Sequence, residues 1–267
     1  ARVAGSSMNP SELLVLARDL AIRVGDTALA GRRRGLNEVD TKSTPTDMVT
    51  EYDRSTEAEI VATLRRLRPT DSIVGEEGGG HEGDSGITWY IDPIDGTTNF
   101  LYDLPMWAVS IGAHDANGAL CGVVYAPALR ETFTAIRGHG AFLNGHPIAC
   151  GTTTDLSRAL IATGFNYSPE NRLMQASRIP TFIDKIRDIR RFGAASLDLC
   201  FVACGRYDAY FEEHLFPWDT AAGALIAAEA GAQVGTPNGK PESSSILASN
   251  SVLFPRIQNL VFQVNSI

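Results

Sequence analysis

The 267-residue sequence has few cysteines, no long apolar run and no excess of basic residues. Nothing in it resembles a signal peptide or a membrane span, so a cytoplasmic protein is the default expectation. The net charge is −8, from 23 basic and 31 acidic residues, which argues against nucleic-acid binding through bulk charge. A small anionic substrate remains possible, because bound metal ions would supply the positive charge.

The cysteines give no sign of a zinc site. They are Cys121, Cys150, Cys200 and Cys204, and none forms a CxxC motif or joins a cluster with histidine. Cys200 and Cys204 lie one helical turn apart, and we interpret them as small core residues. The chemistry of the chain must therefore come from other side chains.

The first half of the chain predicts two helices followed by an antiparallel sheet. Apolar residues recur at helical spacing over about 10–35 and again over 50–67. Alternating apolar residues and tight turns then predict strands between 107 and 148. This order favours a layer of helices on a sheet, in a first domain spanning 8–149. Residues 1–7 precede Met8 and are left out of the fold prediction.

The second half alternates between short strands and helices. Helices are predicted over 171–187, 195–204, 218–230 and 255–264, with strands between them. The pattern favours an α/β domain spanning 150–267. Ligands commonly bind in clefts between domains, so we expect the functional site where the two halves meet.

The most informative segment directly follows the apolar run 87–91. It reads Asp92-Pro93-Ile94-Asp95-Gly96-Thr97. Two carboxylates at the end of a predicted strand are hard oxygen ligands suited to Mg²⁺, and backbone N–H groups at a helix start bind phosphate oxygens. Two buried carboxylates without a cation would repel each other. The segment therefore predicts a metal-dependent phosphoryl-transfer site.

Further acids stand beside glycines, turns and strand ends. They are Asp53, Glu76 with its neighbour Glu77, and Asp219. Each of them, taken alone, is better explained as a surface charge. Asp219 could also be the N-cap of the helix that follows it, a role that stabilises by about 1 kcal/mol.

Three motifs resemble the signature motifs of the inositol monophosphatase family, in the same order and spacing. They are Gly75-Glu76-Glu77, the segment from Trp89 to Phe100, and the segment from Trp218 to Gly223. The similarity extends from about Leu13 to Leu260. It implies a five-layered αβαβα sandwich, which is an α+β or α/β fold. It also implies Mg²⁺-dependent hydrolysis of a phosphate monoester by water, inhibition by Li⁺, and a homodimer.

The resemblance also implies which residues would hold two or three Mg²⁺ ions. Glu76, Asp92 and the backbone carbonyl of Ile94 match the ligands of the first metal. Asp92 would bridge to a second metal, completed by Asp95 and Asp219.

The catalytic residues implied by the resemblance are Glu76, Thr97 and Asp53. Asp53 would pair with Thr97 to orient the attacking water, and it is a candidate ligand for a weaker third ion. The N–H groups of Gly96 and Thr97 would bind the phosphate.

Substrate recognition is expected from the second domain, whereas the metal site lies mainly on the first. Gly193, Ala194 and Ala195 match a loop whose backbone contacts a polyol. Glu212 and Asp219 match positions that hydrogen-bond polyol hydroxyls. The residues of this set thus imply inositol monophosphate or a related small polyol phosphate as the substrate.

Several nearby positions leave the alcohol open. Ala194 stands where a threonine is common in the animal enzymes, and Phe216 where a histidine is common. Tyr167 and Arg191 are expected to be packing or surface residues. Lys42 could steer phosphate into an acidic cleft or could simply be a solvated loop lysine.

Two other classes of function remain open from the sequence. Histidinol phosphatase and fructose bisphosphatase belong to the same superfamily, and Glu212 would suit the cationic histidinol. The non-enzymatic alternative is a binding partner of transcription complexes, a role that some bacterial relatives have. No membrane or nucleic-acid partner is expected.

Overall fold

Two long helices form one outer face of the molecule. In this computed structural model, which describes residues 9–36, 38–44, 47–237 and 244–262, the first helix begins where the Asn9 side chain accepts a hydrogen bond from the Ser11 N–H at 3.0 Å. Its buried stripe includes Leu13, Ala17 and Leu20. A small hairpin that the sequence did not predict leads into the second helix. These elements are α1 (Pro10–Arg34), β1 (Val39–Thr41), β2 (Met48–Thr50) and α2 (Glu51–Leu67).

A seven-stranded sheet packs against α1 and α2. Its strands follow one another in chain order, and all neighbours are antiparallel except the first pair, which is parallel. The antiparallel meander predicted between 107 and 148 is therefore present. The strands are β3 (Ser72–Gly75), β4 (Thr88–Asp95), β5 (Ala108–Asp115), β6 (Gly118–Ala126), β7 (Glu131–Ile136), β8 (Ala141–Leu143) and β9 (His146–Ile148).

The second half forms a five-stranded sheet with helices on both faces. A short helix, α3 (Thr97–Leu101), precedes this half. The elements of the second half are β10 (Leu160–Thr163), α4 (Pro169–Phe182), β11 (Asp188–Arg190), α5 (Ala195–Ala203), β12 (Ala209–Glu212), α6 (Pro217–Thr220), α7 (Gly223–Glu229), β13 (Gln233–Gly235), β14 (Ile246–Ser249) and α8 (Leu253–Phe262). The strand order is β11-β10-β12-β14-β13. Strands β11, β10 and β12 are parallel, and β14 is antiparallel to both of its neighbours, β12 and β13.

The elements stack in five layers. Helices α5 and α7 lie between the two sheets, because one apolar cluster joins Val124 and Phe133 of the first sheet, Leu197 of α5, and Tyr210 and Ala248 of the second sheet. Helices α4 and α8 cover the outer face of the five-stranded sheet. This is the αβαβα sandwich that the family resemblance implied. Among the described helices, none combines the length and the apolar character that a membrane crossing requires.

The helix predicted over 218–230 is two helices, α6 and α7. The chain between them packs tightly on the first sheet, where a Cβ on Gly112 would lie 3.0 Å from the Ala221 Cβ. The Ala221 carbonyl oxygen lies 3.3 Å from His114 Nε2. The regular helix is interrupted at Ala221 and Ala222, where the chain packs on the sheet, although both residues keep α-helical backbone angles.

Other boundaries differ by a few residues. The helix predicted over 171–187 runs from Pro169 to Phe182 and continues as a 3-10 turn, Ile183–Lys185, before β11. The closing helix begins at Leu253, two residues before the predicted start. The excluded residues 1–7 and the last predicted helical residues, 263–264, lie outside the described ranges. The division of the chain near residue 150 stays a prediction.

Candidate active site

A cleft of about 490 Å³ lies beside the C-terminal end of β4, where the two halves of the chain meet. Five of the carboxylates that line it come from four segments. They are Glu76, Asp92, Asp95, Glu212 and Asp219. The sequence predicted each of them as a site residue, and the fold brings them to one place.

Asp92 and Asp95 are three residues apart on β4, a spacing that sends side chains of a regular strand to opposite faces. The pairing with β5 is irregular here, because Asp92 faces Ser110 whereas Asp95 faces Ala108. β4 takes three steps where β5 takes two, which is a β-bulge. The bulge turns both carboxylates into the same cleft. Pro93 lies within it, at a place where a strand tolerates a missing N–H.

Asp92 is a buried acid with other acids around it. It is 2% exposed, and the Ile94 N–H donates to its Oδ1 at 3.1 Å. Burial raises the pKa of Asp92 well above its ordinary value, and the negative charges of Glu76, Asp95 and Asp219 raise it further. A nearby cation would therefore favour the ionised form of Asp92.

Asp95 caps a helix from the other half of the chain. Its two oxygens accept the N–H of Ala195 at 3.1 Å, and the N–H and hydroxyl of Ser196 at 2.7 and 2.5 Å. Burial raises the pKa of Asp95, and the hydrogen bonds from Ser196 partly lower it again. Ser196 was not among the predicted site residues. The available signal was Ala194, an N-cap residue without a polar side chain, which leaves the first N–H groups of α5 to an acceptor from elsewhere.

Glu76 follows β3 and points one oxygen at a lysine and the other into the site. Lys42 Nζ donates to Glu76 Oε1 at 2.9 Å and also pairs with Glu77. Glu76 Oε2 is buried and has no hydrogen-bond partner among the described residues. Burial raises the pKa of Glu76, and the charge of Lys42 partly lowers it. Lys42 is thus an ion-pair partner of the site, not a freely solvated lysine.

Asp53 is not a lining residue of the cleft, but it accepts a hydrogen bond from Thr97, which is one. It accepts the Thr50 N–H at 2.8 Å, in a capping box that starts α2, and the Thr97 hydroxyl at 3.0 Å. The same hydroxyl lies 3.1 Å from the Ile94 carbonyl oxygen. Asp53 is fully buried, and burial raises its pKa to about 6. The predicted pairing of Asp53 with Thr97 is therefore present.

The start of α3 requires glycine. Gly96 is its N-cap residue, with a φ of 90°, and a Cβ there would lie 3.0 Å from the Met106 carbonyl oxygen. That φ is in the left-handed region, which is unfavourable for residues other than glycine. Gly96 and Thr97 both line the cleft, and their phosphate-binding role stays a prediction.

Asp219 lies in the first turn of α6, on the opposite side of the cleft. Its Oδ2 accepts the Phe216 N–H at 2.7 Å. Burial raises the pKa of Asp219 well above its ordinary value, and this hydrogen bond partly lowers it. Asp219 therefore accepts a hydrogen bond at the start of α6 and also lines the cleft. Phe216 stacks on Trp218 with the ring centroids 4.9 Å apart, which adds an aromatic wall.

Not all of the residues predicted to bind the substrate alcohol line the cleft. Glu212 lines the cleft, accepts the Tyr210 hydroxyl at 2.6 Å, and has its pKa raised by burial to about 7. Gly193 and Ala195 also line the cleft. Ala194, by contrast, is 1% exposed and lies next to Gly96, so its side chain packs in the core.

Tyr167 and Arg191 line the same cleft, contrary to the expected packing or surface role. The Arg191 guanidinium lies 5.9 Å from the Phe165 ring centroid, and its charge lowers the pKa of Glu212. These positions are brought to the site by the loops after β10 and β11. Only the three-dimensional arrangement could have identified them.

The donor set of the cleft fits a hard divalent cation. In the part of the chain that the structure describes, no three acids, histidines or cysteines already converge with metal-ligand geometry. The unpartnered Glu76 Oε2 and the mutual repulsion of Asp92, Asp95 and Asp219 are nevertheless the features that a cation would relieve. All the donors are oxygens, as Mg²⁺ prefers.

Known proteins share both the sequence and the fold. The chain is 43% identical over 244 residues to inositol-1-monophosphatase SuhB of Mycobacterium tuberculosis, a match that covers 84% of each protein. It is 41% identical over 235 residues to Nus factor SuhB of Pasteurella multocida, covering 87% of each. The solved structure of extragenic suppressor protein suhB from Bartonella henselae matches with a TM-score of 0.88 at 32% identity, over 95% of this chain and 100% of that one.

These similarities confirm the family resemblance and the sandwich fold that it implied. Residues 9–265 match the description "Inositol monophosphatase family". The match spans both sheets and all the acids of the cleft. The chain belongs to the inositol monophosphatase family of metal-dependent phosphatases.

Proposed function

We propose that the protein is a Mg²⁺-dependent phosphate monoester hydrolase that acts on inositol monophosphate and related small polyol phosphates. The observation that carries this proposal is the cluster of Glu76, Asp92, Asp95 and Asp219 around one cleft, with Glu76 Oε2 unpartnered among the described residues. Buried acidic groups with shifted pKa values are concentrated at functional sites.

The metal ligands in this proposal come from three segments. Glu76, Asp92 and the Ile94 carbonyl would hold the first Mg²⁺, and Asp92, Asp95 and Asp219 the second. Bound Mg²⁺ supplies positive charge to the phosphate oxygens and acidifies the water that attacks them.

The protein's own groups orient the reactants. Asp53 and the Ile94 carbonyl compete for the single proton of the Thr97 hydroxyl, which leaves its oxygen free to accept a hydrogen bond from water. That bond would orient the attacking water. The backbone of Gly96 and Thr97 faces the cleft and would contact the phosphate.

The alcohol would bind between Glu212 and Asp219, whose oxygens accept hydroxyl hydrogen bonds, beside the backbone of Gly193 and Ala195. Arg191 lines this end of the cleft. Its positive charge would repel the cationic amine of histidinol phosphate, which favours a neutral polyol over histidinol.

The test is phosphate release in the presence of Mg²⁺, with kcat/KM compared for inositol 1-phosphate, histidinol phosphate and fructose 1,6-bisphosphate. We expect the highest value for inositol 1-phosphate. Asp92→Asn should lower kcat by about 100-fold or more. Asp103→Asn is the matched control, because Asp103 is exposed and asparagine tolerates its φ of 59°.

Two results would contradict the proposal in different ways. Near wild-type turnover of Asp92→Asn at saturating Mg²⁺ would contradict the assignment of Asp92 as a metal ligand. A clear preference for histidinol phosphate would keep the metal site and reassign the alcohol end. The homodimer and the inhibition by Li⁺ belong to the same proposal, and size-exclusion chromatography and Li⁺ titration would test them.

A second candidate function has one specific observation in its favour. Several relatives, among them the Pasteurella multocida protein at 41% identity, are named Nus factor. A role in a transcription complex would need a protein surface, not the cleft. Asp95→Asn should then retain partner binding in a pull-down while losing phosphate release. Loss of both in a folded variant would argue against an independent binding role.

A further inference from the structure

The segment that carries Glu76 is a loop, yet its backbone is held by a buried acid from a different element. Glu57 lies on α2 and is 3% exposed. Its Oε2 accepts the Glu77 N–H at 2.8 Å, and its Oε1 accepts the Gly79 N–H at 2.7 Å. Both oxygens of Glu57 are thus used to fix the peptides that directly follow Glu76.

The two glycines of this loop leave room for the Glu57 carboxylate. A Cβ on Gly75 would lie 2.6 Å from its carboxyl carbon, and a Cβ on Gly79 would lie 2.7 Å from its Oε1. Neither position could carry a side chain without moving Glu57 or the loop. The backbone of the loop therefore packs directly against the carboxylate of Glu57 at both glycines.

Helix α2 also supplies Asp53, one turn before Glu57 on the same side of the helix. The capping box at Thr50 and the buried face of α2 fix the helix relative to the first sheet. One rigid helix thus holds both the residue that pairs with Thr97 and the acid that holds the loop of Glu76.

We infer that Glu57 is a positioning residue, which aims Glu76 into the cleft by holding the Glu77 and Gly79 peptides. The inference rests on the proposed function in one respect, namely that Glu76 is a metal ligand. Glu57 does not line the cleft and contacts no reacting group. Its effect should therefore be on metal affinity and not on the chemical step.

The test compares Glu57→Gln with Glu59→Gln. The amide of the first variant can accept only one of the two backbone N–H groups. Glu59 is the matched control, because it lies on the same helix, is exposed, and pairs only at the surface with Arg23 at 2.8 Å. Three quantities are measured: Mn²⁺ binding to the metal-free protein by calorimetry, thermal unfolding in EDTA, and the Mg²⁺ dependence of phosphate release.

We expect Glu57→Gln to weaken Mn²⁺ binding by about 10-fold or more, the size seen when groups that orient metal ligands are removed. The half-saturating Mg²⁺ concentration should rise by a similar factor, with kcat at saturating Mg²⁺ changed by less than about 3-fold. Glu59→Gln should leave all three quantities unchanged.

An unchanged Mn²⁺ affinity together with a lower unfolding temperature would overturn the inference, since Glu57 would then be purely structural. If Glu57→Gln does not fold, Gly79→Ala tests the same contact from the loop side, and an unchanged Mn²⁺ affinity in that variant is equally decisive. If wild-type protein releases no phosphate but the variants still bind Mn²⁺ more weakly, the hydrolase proposal fails and the positioning role stands.

Discussion

Asp92→Asn should stabilise the metal-free protein while it removes the proposed hydrolase activity. Asp92 is buried beside three other acids and accepts the Ile94 N–H at 3.1 Å. The asparagine side chain keeps an oxygen for that N–H, and its new amide protons can be donated to Glu76. Removing an uncompensated buried charge is worth about 1–3 kcal/mol. For a chain of this size, each kcal/mol raises Tm by about 2–4 °C.

Asp95→Asn is the matched comparison on the same strand. It also removes a buried charge, but it gives up at least one of the hydrogen bonds from Ser196, at 2.7 and 2.5 Å. A hydrogen bond to a charged group is worth about 1.5–3 kcal/mol. This loss offsets the gain, so Asp95→Asn should show no increase in Tm.

The assay is thermal unfolding in EDTA, repeated from pH 4 to pH 7 and then with excess Mg²⁺. Because burial raises the pKa of Asp92 in the folded state, the destabilisation by Asp92 appears above its unfolded pKa and grows as the pH rises. The gain from Asp92→Asn should therefore be smallest at pH 4, largest at pH 7, and reversed by Mg²⁺. A lower Tm for Asp92→Asn at pH 7 in EDTA, or equal shifts in the two variants, would refute this reasoning.

Two further predictions concern acids near the substrate end. Because the pKa of Glu212 is about 7, KM for a polyol phosphate should rise as the pH falls below 7, and Tyr210→Phe should move this inflection to higher pH by removing a hydrogen bond that lowers the pKa. A pH profile of KM that is identical in the variant would contradict this role. Asp198, on α5, is 1% exposed, and neither of its oxygens has a hydrogen-bond partner in the described ranges. Asp198→Asn should therefore stabilise the metal-free protein by about 1–3 kcal/mol in urea unfolding at pH 7, and an unchanged midpoint would count against it.

The sequence was informative where function and local structure coincide. The segment from Asp92 to Thr97 predicted adjacent carboxylates, a glycine turn and a helix start, and all three are present. The strand was expected to end before Asp92, but it continues to Asp95, because the bulge accommodates Pro93. The sequence contains the bulged residues but not the register of β5 opposite them.

Long-range partners could not be predicted in the same way. The contact of Asp95 with Ser196 joins residues 101 positions apart, and that of Lys42 with Glu76 joins residues 34 apart. Such pairs depend on how the layers stack, which helix and strand periodicities do not specify. The break between α6 and α7 lies where the chain packs on the first sheet, a contact that the helical pattern does not specify either.

Helix α5 is buried along all nine of its residues, with a sheet on either side. The inner face of each sheet stays uncovered until α5 and α7 are in place. During synthesis, the strands up to residue 148 emerge before the helices that protect them. The first half of the chain should therefore remain open to chaperones until the second half has been made.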